Sequence, residues 1–338
     1  ASPGNSGSLG DNEAIVVDTK PPTVSGVDST TAAGSYKAGD AISIQVNFND
    51  KVTVTGTPQL TLETGSSDAV VNYASGSGGT SLTFTYTISS PETSSDLDYK
   101  ATGSLALNSG TIKDAAGNAA TLTLASPGNS GSLGDNEAIV VDTTAPEVSY
   151  VEGVDNTYGT SETVSITVKF SESVEVASSG SLNVSLELET GYVKQSATTT
   201  STSSSDEVAL TYTVALYDYS EDLNYTGTGA LKLAIGTTIK DKAGNSATLT
   251  LPSTGSSNSL AGKSVVVIST STKGTWTGLA GSSGTGDWED KDNWYGVTEP
   301  SNTGDWKDVI IPDVTNQPVI TDTDFYVGAS GTVSCDTL

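Results

Sequence analysis

Apolar residues recur at every second position along much of this chain. Ala41-Ile42-Ser43-Ile44-Gln45-Val46-Asn47-Phe48 alternates without a break, as do residues 81–88 and 163–170. A period of two places the apolar side chains on one face of an extended strand and Ser, Thr, Gln and Asn on the other. Gly, Ser, Asp and Pro interrupt these runs every 8–15 residues, and no window shows a 3.6-residue period. Seven or more short strands in each stretch of about 125 residues, one face apolar and one polar, predict an all-β chain of sandwiches with Greek-key connections.

The pattern is also duplicated. Residues 1–18 read ASPGNSGSLGDNEAIVVD, and residues 125–142 repeat them without a difference. A degraded third copy occupies 251–270 (LPSTGSSNSLAGKSVVVIST). Between the copies, Asp96-Leu97-Asp98-Tyr99 answers Asp222-Leu223-Asn224-Tyr225. Likewise Thr111-Ile112-Lys113-Asp114-Ala115-Ala116-Gly117-Asn118 answers Thr238-Ile239-Lys240-Asp241-Lys242-Ala243-Gly244-Asn245. This spacing predicts two complete repeats, 19–142 and 143–270. Residues 1–18 are then expected to be the closing strand of a preceding repeat, ordered at Ile15–Val17 by pairing with another chain or a sheet edge. Pro21-Pro22 and Pro146 restrict the linkers, whereas the boundary after Thr270 lacks a proline and has Ser269 where Asp142 stands in the first repeat. The run Thr198–Ser205 (TTTSTSSS) is expected at a hairpin tip.

Composition narrows the chemistry. The 338 residues include 14 Lys and Arg against 40 Asp and Glu, a net charge of −26, with no His, no Met and one Cys. Imidazole-based catalysis, imidazole metal sites and an internal disulfide are excluded, and a basic nucleic-acid groove is not expected. No apolar run is long enough for a membrane-spanning helix. Absence of an initiator Met and of a signal-peptide pattern predicts an interior piece of a longer polypeptide or a processed product. Nothing singles out a pair of acids for glycoside hydrolysis, and no catalysis is expected.

Two readings compete for the acids around the repeat boundaries. Asp114, Asn118, Asp135, Glu137, Asp142, Asp241 and Asn245 offer hard oxygen ligands suited to calcium. The same residue types in an Asp-x-x-Gly-Asn turn also cap their own backbone amides.

The stretches VDTTAPEVS (141–149), TVKFSESVEV (167–176) and TIKDKAGNSATLTL (238–251) resemble bacterial Ig-like repeats of large secreted surface proteins. That resemblance implies tandem Ig-like sandwiches in an extended, extracellular stalk at the cell surface, serving adhesion or gliding motility, with calcium at repeat junctions. The implied partners are neighbouring repeats, surface glycans or other cells. From residue 271 the texture changes, and all four Trp follow: Trp276, Trp288, Trp294 and Trp306. This segment resembles a pattern of Bacteroidota surface proteins that opens a β-rich domain, expected here to be incomplete. The Trp side chains either form a small core or a platform for sugar rings. Asp-Ser/Thr triplets at Ser29, Thr143 and Thr337 resemble an O-glycosylation signal of the same bacteria. Two alternatives to a stalk are carbohydrate-binding modules of a polysaccharide-degrading enzyme and a filament subunit that exchanges strands.

Overall fold

The structure is a computed structural model. It describes residues 17–270 apart from 182, 191–193, 200–203 and 217, and beyond 270 only the backbone of four short strands. These last form two antiparallel ladders, Thr275–Trp276 with Trp294–Tyr295 and Phe325–Val327 with Val333–Cys335. The chain divides into two compact units: Ala1–Ala145 with Lys240–Asn245, and Pro146–Ile239 with Ser246–Leu338.

The first unit runs β1 (Val24–Ser29), β2 (Gly34–Tyr36), β3 (Ala41–Phe48), β4 (Thr53–Thr55), β5 (Gln59–Leu62), β6 (Ala69–Ser75), β7 (Ser81–Thr87), β8 (Leu105–Ala106) and β9 (Thr111–Lys113). A single helical turn, α1 (Leu133–Asn136), and β10 (Ile139–Val141) follow. Its main sheet has the order β1-β3-β7-β6-β5-β8, curled so that β6 pairs β5 with one half and β7 with the other. Two small ladders complete the layers, β4 with β9 antiparallel and β10 with β2 parallel. Along β3 burial alternates strictly, with Ile42, Ile44 and Val46 fully buried between exposed or half-buried neighbours. The period-two reading therefore gives the orientation of this strand, and Phe84, Leu60, Leu97 and Tyr99 pack onto its inner face to form one core.

The second unit repeats the plan with β11 (Val148–Gly153), β12 (Asn156–Tyr158), β13 (Thr163–Ser178), β14 (Val184–Leu188), β15 (Gln195–Thr199), β16 (Ser204–Thr213), β17 (Tyr219–Ser220), β18 (Leu231–Leu233) and β19 (Thr237–Lys240). It ends in α2 (Leu260–Lys263) and β20 (Val266–Ser269). Even the irregularity recurs: the ladder β1–β3 shifts register between Val24 and Gly26, and β11–β13 shifts between Val148 and Tyr150. One difference is the length of β13, 16 residues, where the first unit divides the same span into β3 and β4 around Asn49-Asp50-Lys51.

The fold is all-β and of the sandwich type. The single-turn helices α1 and α2 are too short to produce a helical period. Each is started by a serine, Ser132 Oγ accepting from Asp135 N at 3.2 Å and Ser259 Oγ from Gly262 N at 3.2 Å. Among the described residues, no helix is long and apolar enough to cross a membrane.

Ile44 and Ile166 occupy equivalent, fully buried places in the two cores. Ile44→Ala and Ile166→Ala are each expected to cost about 2–5 kcal/mol. Urea unfolding followed by tyrosine fluorescence measures this, and a loss below about 1 kcal/mol would contradict close packing there.

Candidate functional site

The residues singled out by sequence gather around two copies of one turn. In the first, Asp114 Oδ1 accepts from Asn118 N at 2.8 Å, and Asn118 Nδ2 donates to Asp114 Oδ2 at 2.8 Å. Gly117 closes the turn with φ of 93°, a conformation that a side chain would strain. The Asn118 amide also donates to the backbone oxygen of Asp18, 3.1 Å away and 100 residues earlier. In the second copy, Asp241 Oδ1 accepts from Gly244 N and Asn245 N at 2.7 and 2.8 Å, and Asn245 Nδ2 donates to Asp241 Oδ2 at 2.7 Å. Gly244 has φ of 94°, and Asn245 Nδ2 reaches the backbone oxygen of Asp142 at 2.9 Å.

Each turn thus grips the aspartate that precedes a repeat. That aspartate makes a turn of its own: Asp18 Oδ1 accepts from Lys20 N and Asp142 Oδ1 from Thr144 N, both at 3.0 Å. The turn amides bear on the charge of Asp114. Desolvation pushes its carboxyl up, but hydrogen bonds from Asn118, Gly117 and Ala116 outweigh this and hold it below the usual aspartate value.

The structure brings Asp114 together with Asn118, and Asp241 together with Asn245. It also brings Asp142 to the second turn, where the Asp142 and Asp241 carboxylates approach within 4.8 Å. Asp135 is exposed on α1, and Glu137 follows that helix with its N–H on Leu133 O at 2.8 Å. Of the glycosylation candidates, Ser29 Oγ donates to Ser43 O at 3.0 Å and Thr143 Oγ1 to Glu92 O at 2.9 Å, and both are part-buried. Thr337 and the side chains of Trp276, Trp288, Trp294 and Trp306 lie outside the described residues, as do Ile15 and Val16. Val17 is described: it has no ladder partner among the described residues and is 83% exposed.

A second constellation escaped the sequence reading. The segment after Leu124 is held to the first unit by Asp98 and Tyr99, whose Oδ2 accepts from Gly128 N at 2.9 Å and whose hydroxyl donates to Ala125 O at 2.8 Å, respectively. In the second unit Tyr225 donates to Pro252 O at 2.6 Å, and Asn224 Nδ2 to Thr254 O at 2.8 Å. The matching Asp-Leu-Asp-Tyr and Asp-Leu-Asn-Tyr runs were the available signal. Burial, with the charge of Asp98 added, pushes the Tyr99 hydroxyl up to about 12, and burial alone takes Tyr225 to about 12.

Two predictions follow from these contacts. Asn118→Ala removes the bridge from Asp114 to Asp18 and is expected to lower stability by about 1–3 kcal/mol, read by thermal or urea unfolding. Because the folded tyrosines titrate above their unfolded value of 10.0, their stabilising contribution is complete below pH 10 and is lost as pH rises towards 12. The double variant Tyr99→Phe, Tyr225→Phe is expected to flatten that alkaline decline in a pH series of melting temperatures.

No family model matches this chain, and no curated protein matches it.

Proposed function

We propose that this chain is a structural repeat region of an extracellular surface protein, a stalk that spaces and displays other parts of the protein and performs no catalysis. The observation that carries the reading is the twice-built linker grip: the same Asp-x-x-Gly-Asn turn holds the aspartate ahead of each repeat through the same asparagine amide. A duplicated module with a duplicated linker contact suits a part whose role is extension and multivalent presentation. The proportion of acids supports the same reading, since a net charge of −26 keeps an array of sandwiches soluble.

Pulling single molecules of the whole chain by its ends tests the mechanical role. Two discrete unfolding events are expected, each releasing roughly 40 nm, the extended length of about 124 residues at 3.3–3.6 Å each. Extension without discrete events would sink the stalk reading. A glycan array addresses the carbohydrate-binding alternative: binding that disappears when Trp276, Trp288, Trp294 and Trp306 become Ala would favour it.

Calcium belongs to this proposal at Asp142 and Asp241, whose carboxylate oxygens lie within 4.8 Å of each other. Two carboxylates at that separation repel, and a hard cation would relieve the repulsion. Millimolar calcium is expected to raise the melting temperature of the native chain and not that of Asp241→Asn. An unchanged melting temperature would assign these aspartates to turn chemistry alone.

A further inference from the structure

The main sheet of the first unit opens between β6 and β7. Their ladder is confined to Tyr73↔Phe84 and Ser75↔Thr83. Before Tyr73, β6 turns away to pair with β5, while β7 stays on β3 along its whole length. The two strands part around a cleft of about 570 Å³, a size that suits a bound ligand. Main-chain groups of both walls face it. Ile88 bonds on the β3 side, donating to Asp40 O at 3.0 Å and accepting from Gly39 N at 2.9 Å, so alternation turns the N–H and C=O of Thr87 towards β6. Tyr73 N donates to Pro58 O, beside β5, at 2.8 Å, so the N–H and C=O of Val70 turn the other way, towards β7.

The second unit closes the same place with a side chain of its own. Tyr86 and Tyr212 are equivalent, opposite Ile42 and Val164. Each hydroxyl donates to an acid later in the chain, Tyr86 to Glu92 Oε2 at 2.8 Å and Tyr212 to Asp218 Oδ2. The same acid oxygen also accepts a backbone amide, from Ser89 in one unit and Ala215 in the other, both at 2.7 Å. The second acid oxygen differs. Asp218 Oδ1 accepts from Gln195 Nε2 at 3.2 Å. Gln195 pairs with Leu188 as Ala69 pairs with Leu62, so Ala69 stands in the place of Gln195 and has no amide to offer. Among the described residues nothing donates to Glu92 Oε1. The ladder of the second unit also runs further, to Thr198↔Thr211, the counterparts of Asn72 and Thr85.

We propose that the cleft between β6 and β7 binds an extended peptide segment through an arginine or lysine side chain, whose cationic head takes on Glu92 the place that the Gln195 amide takes on Asp218. Charge selects this occupant. Asp68 and Glu92 both line the cleft, and no Lys or Arg is among its lining residues. Lys100 pairs with Asp68, which leaves Glu92 as the acid open to a ligand. A cation on a carboxylate makes a hydrogen bond roughly twice as strong as a neutral amide does, and the guanidinium fork fits it best. The main chain of the peptide answers the walls: the edge groups of Val70 and Thr87 are what an added strand pairs with. Side chains alternate along such a strand. The inward one reaches Glu92 beside the buried Tyr86, and its neighbours lie outward with Val70, which is 56% exposed.

The test titrates the whole chain against a fluorescein-labelled pentapeptide, Thr-Val-Arg-Val-Thr with blocked ends, and reads anisotropy. Saturable binding is expected with a Kd of about 1–100 μM. The peptide with Glu in place of Arg is expected to bind at least about tenfold more weakly, and so is agmatine, which carries the guanidinium without a peptide main chain. The deciding variant is Ala69→Gln, which leaves the net charge unchanged and supplies the amide that closes the second unit. It is expected to weaken the arginine peptide about tenfold or more while the melting temperature is kept or raised. Glu92→Gln, which retains acceptors for Tyr86 and Ser89, is expected to weaken it similarly and gives a second reading if Ala69→Gln loses stability. Absence of binding, or binding to both variants as tight as to the native chain, overturns the proposal. Agmatine as tight as the peptide overturns the seating of a peptide main chain in the cleft.

Discussion

Everything in each repeat depends on a backbone requirement: the edges of β2 and of residues 94–97 must find partners, and β10 supplies them at once. Buried amides left unpaired are costly, and a strand bonded along both edges removes that cost for three segments together. The apolar side chains of Leu133, Ile139 and Val141 come with it, each contributing roughly 1.5–3 kcal/mol of burial. The last 18 residues of the first repeat are thus a structural centre although they are last in sequence. β20 holds the same place between β12 and β17 in the second unit.

The two units reach this arrangement with different atoms. Asp98 and Asn224 occupy one position and hold one peptide, but the first accepts a hydrogen bond where the second donates. Tyr99 and Tyr225 do not differ in this way, since both hydroxyls donate to carbonyls at the start of the closing segment. The tyrosine contact is therefore generic to the repeat, and the contact one residue earlier is particular to each copy. Substituting one member of such a pair requires the peptide opposite to turn over, which a glycine at 128 or 255 permits.

Much of this was legible in the sequence, for identifiable reasons. The alternation in 41–48 and 163–170 gave strand direction and buried face because a half-buried strand leaves that trace in side chains. The turn at Asp114–Asn118 was legible as a turn because Asp, Gly and Asn each have a specific backbone role there. The parallel pairing of β10 with Gly34-Ser35-Tyr36 was not. Those three residues show no apolar pattern, and the pairing is made by main-chain groups that every residue has. The grip of Asn118 on Asp18 was hidden for the same reason, since its acceptor is a backbone oxygen 100 residues away. Asp98 and Asn224 stood in the matched runs, but a difference between near-isosteric side chains acquires meaning only when the opposing peptide is seen.

The closing segment ends where the next linker begins, and that adjacency joins two functions in neighbouring residues. Val141 seals the first unit through paired backbone bonds to Ser94, and Asp142 donates its N–H to Tyr36 O at 2.9 Å. The backbone oxygen of the same Asp142 is the acceptor gripped by Asn245. A pull transmitted through the linker is therefore met first by the hydrogen bonds of Asp142 and then by the two-edged strand behind it. A strand paired on both sides resists such a pull through several bonds at once, whereas one on a free edge would peel bond by bond. A strand bonded along both edges, set next to the linker, would suit the stalk role proposed above. In residues 125–142 one sequence serves the slot between β2 and residues 94–97, the helical turn and the linker grip together.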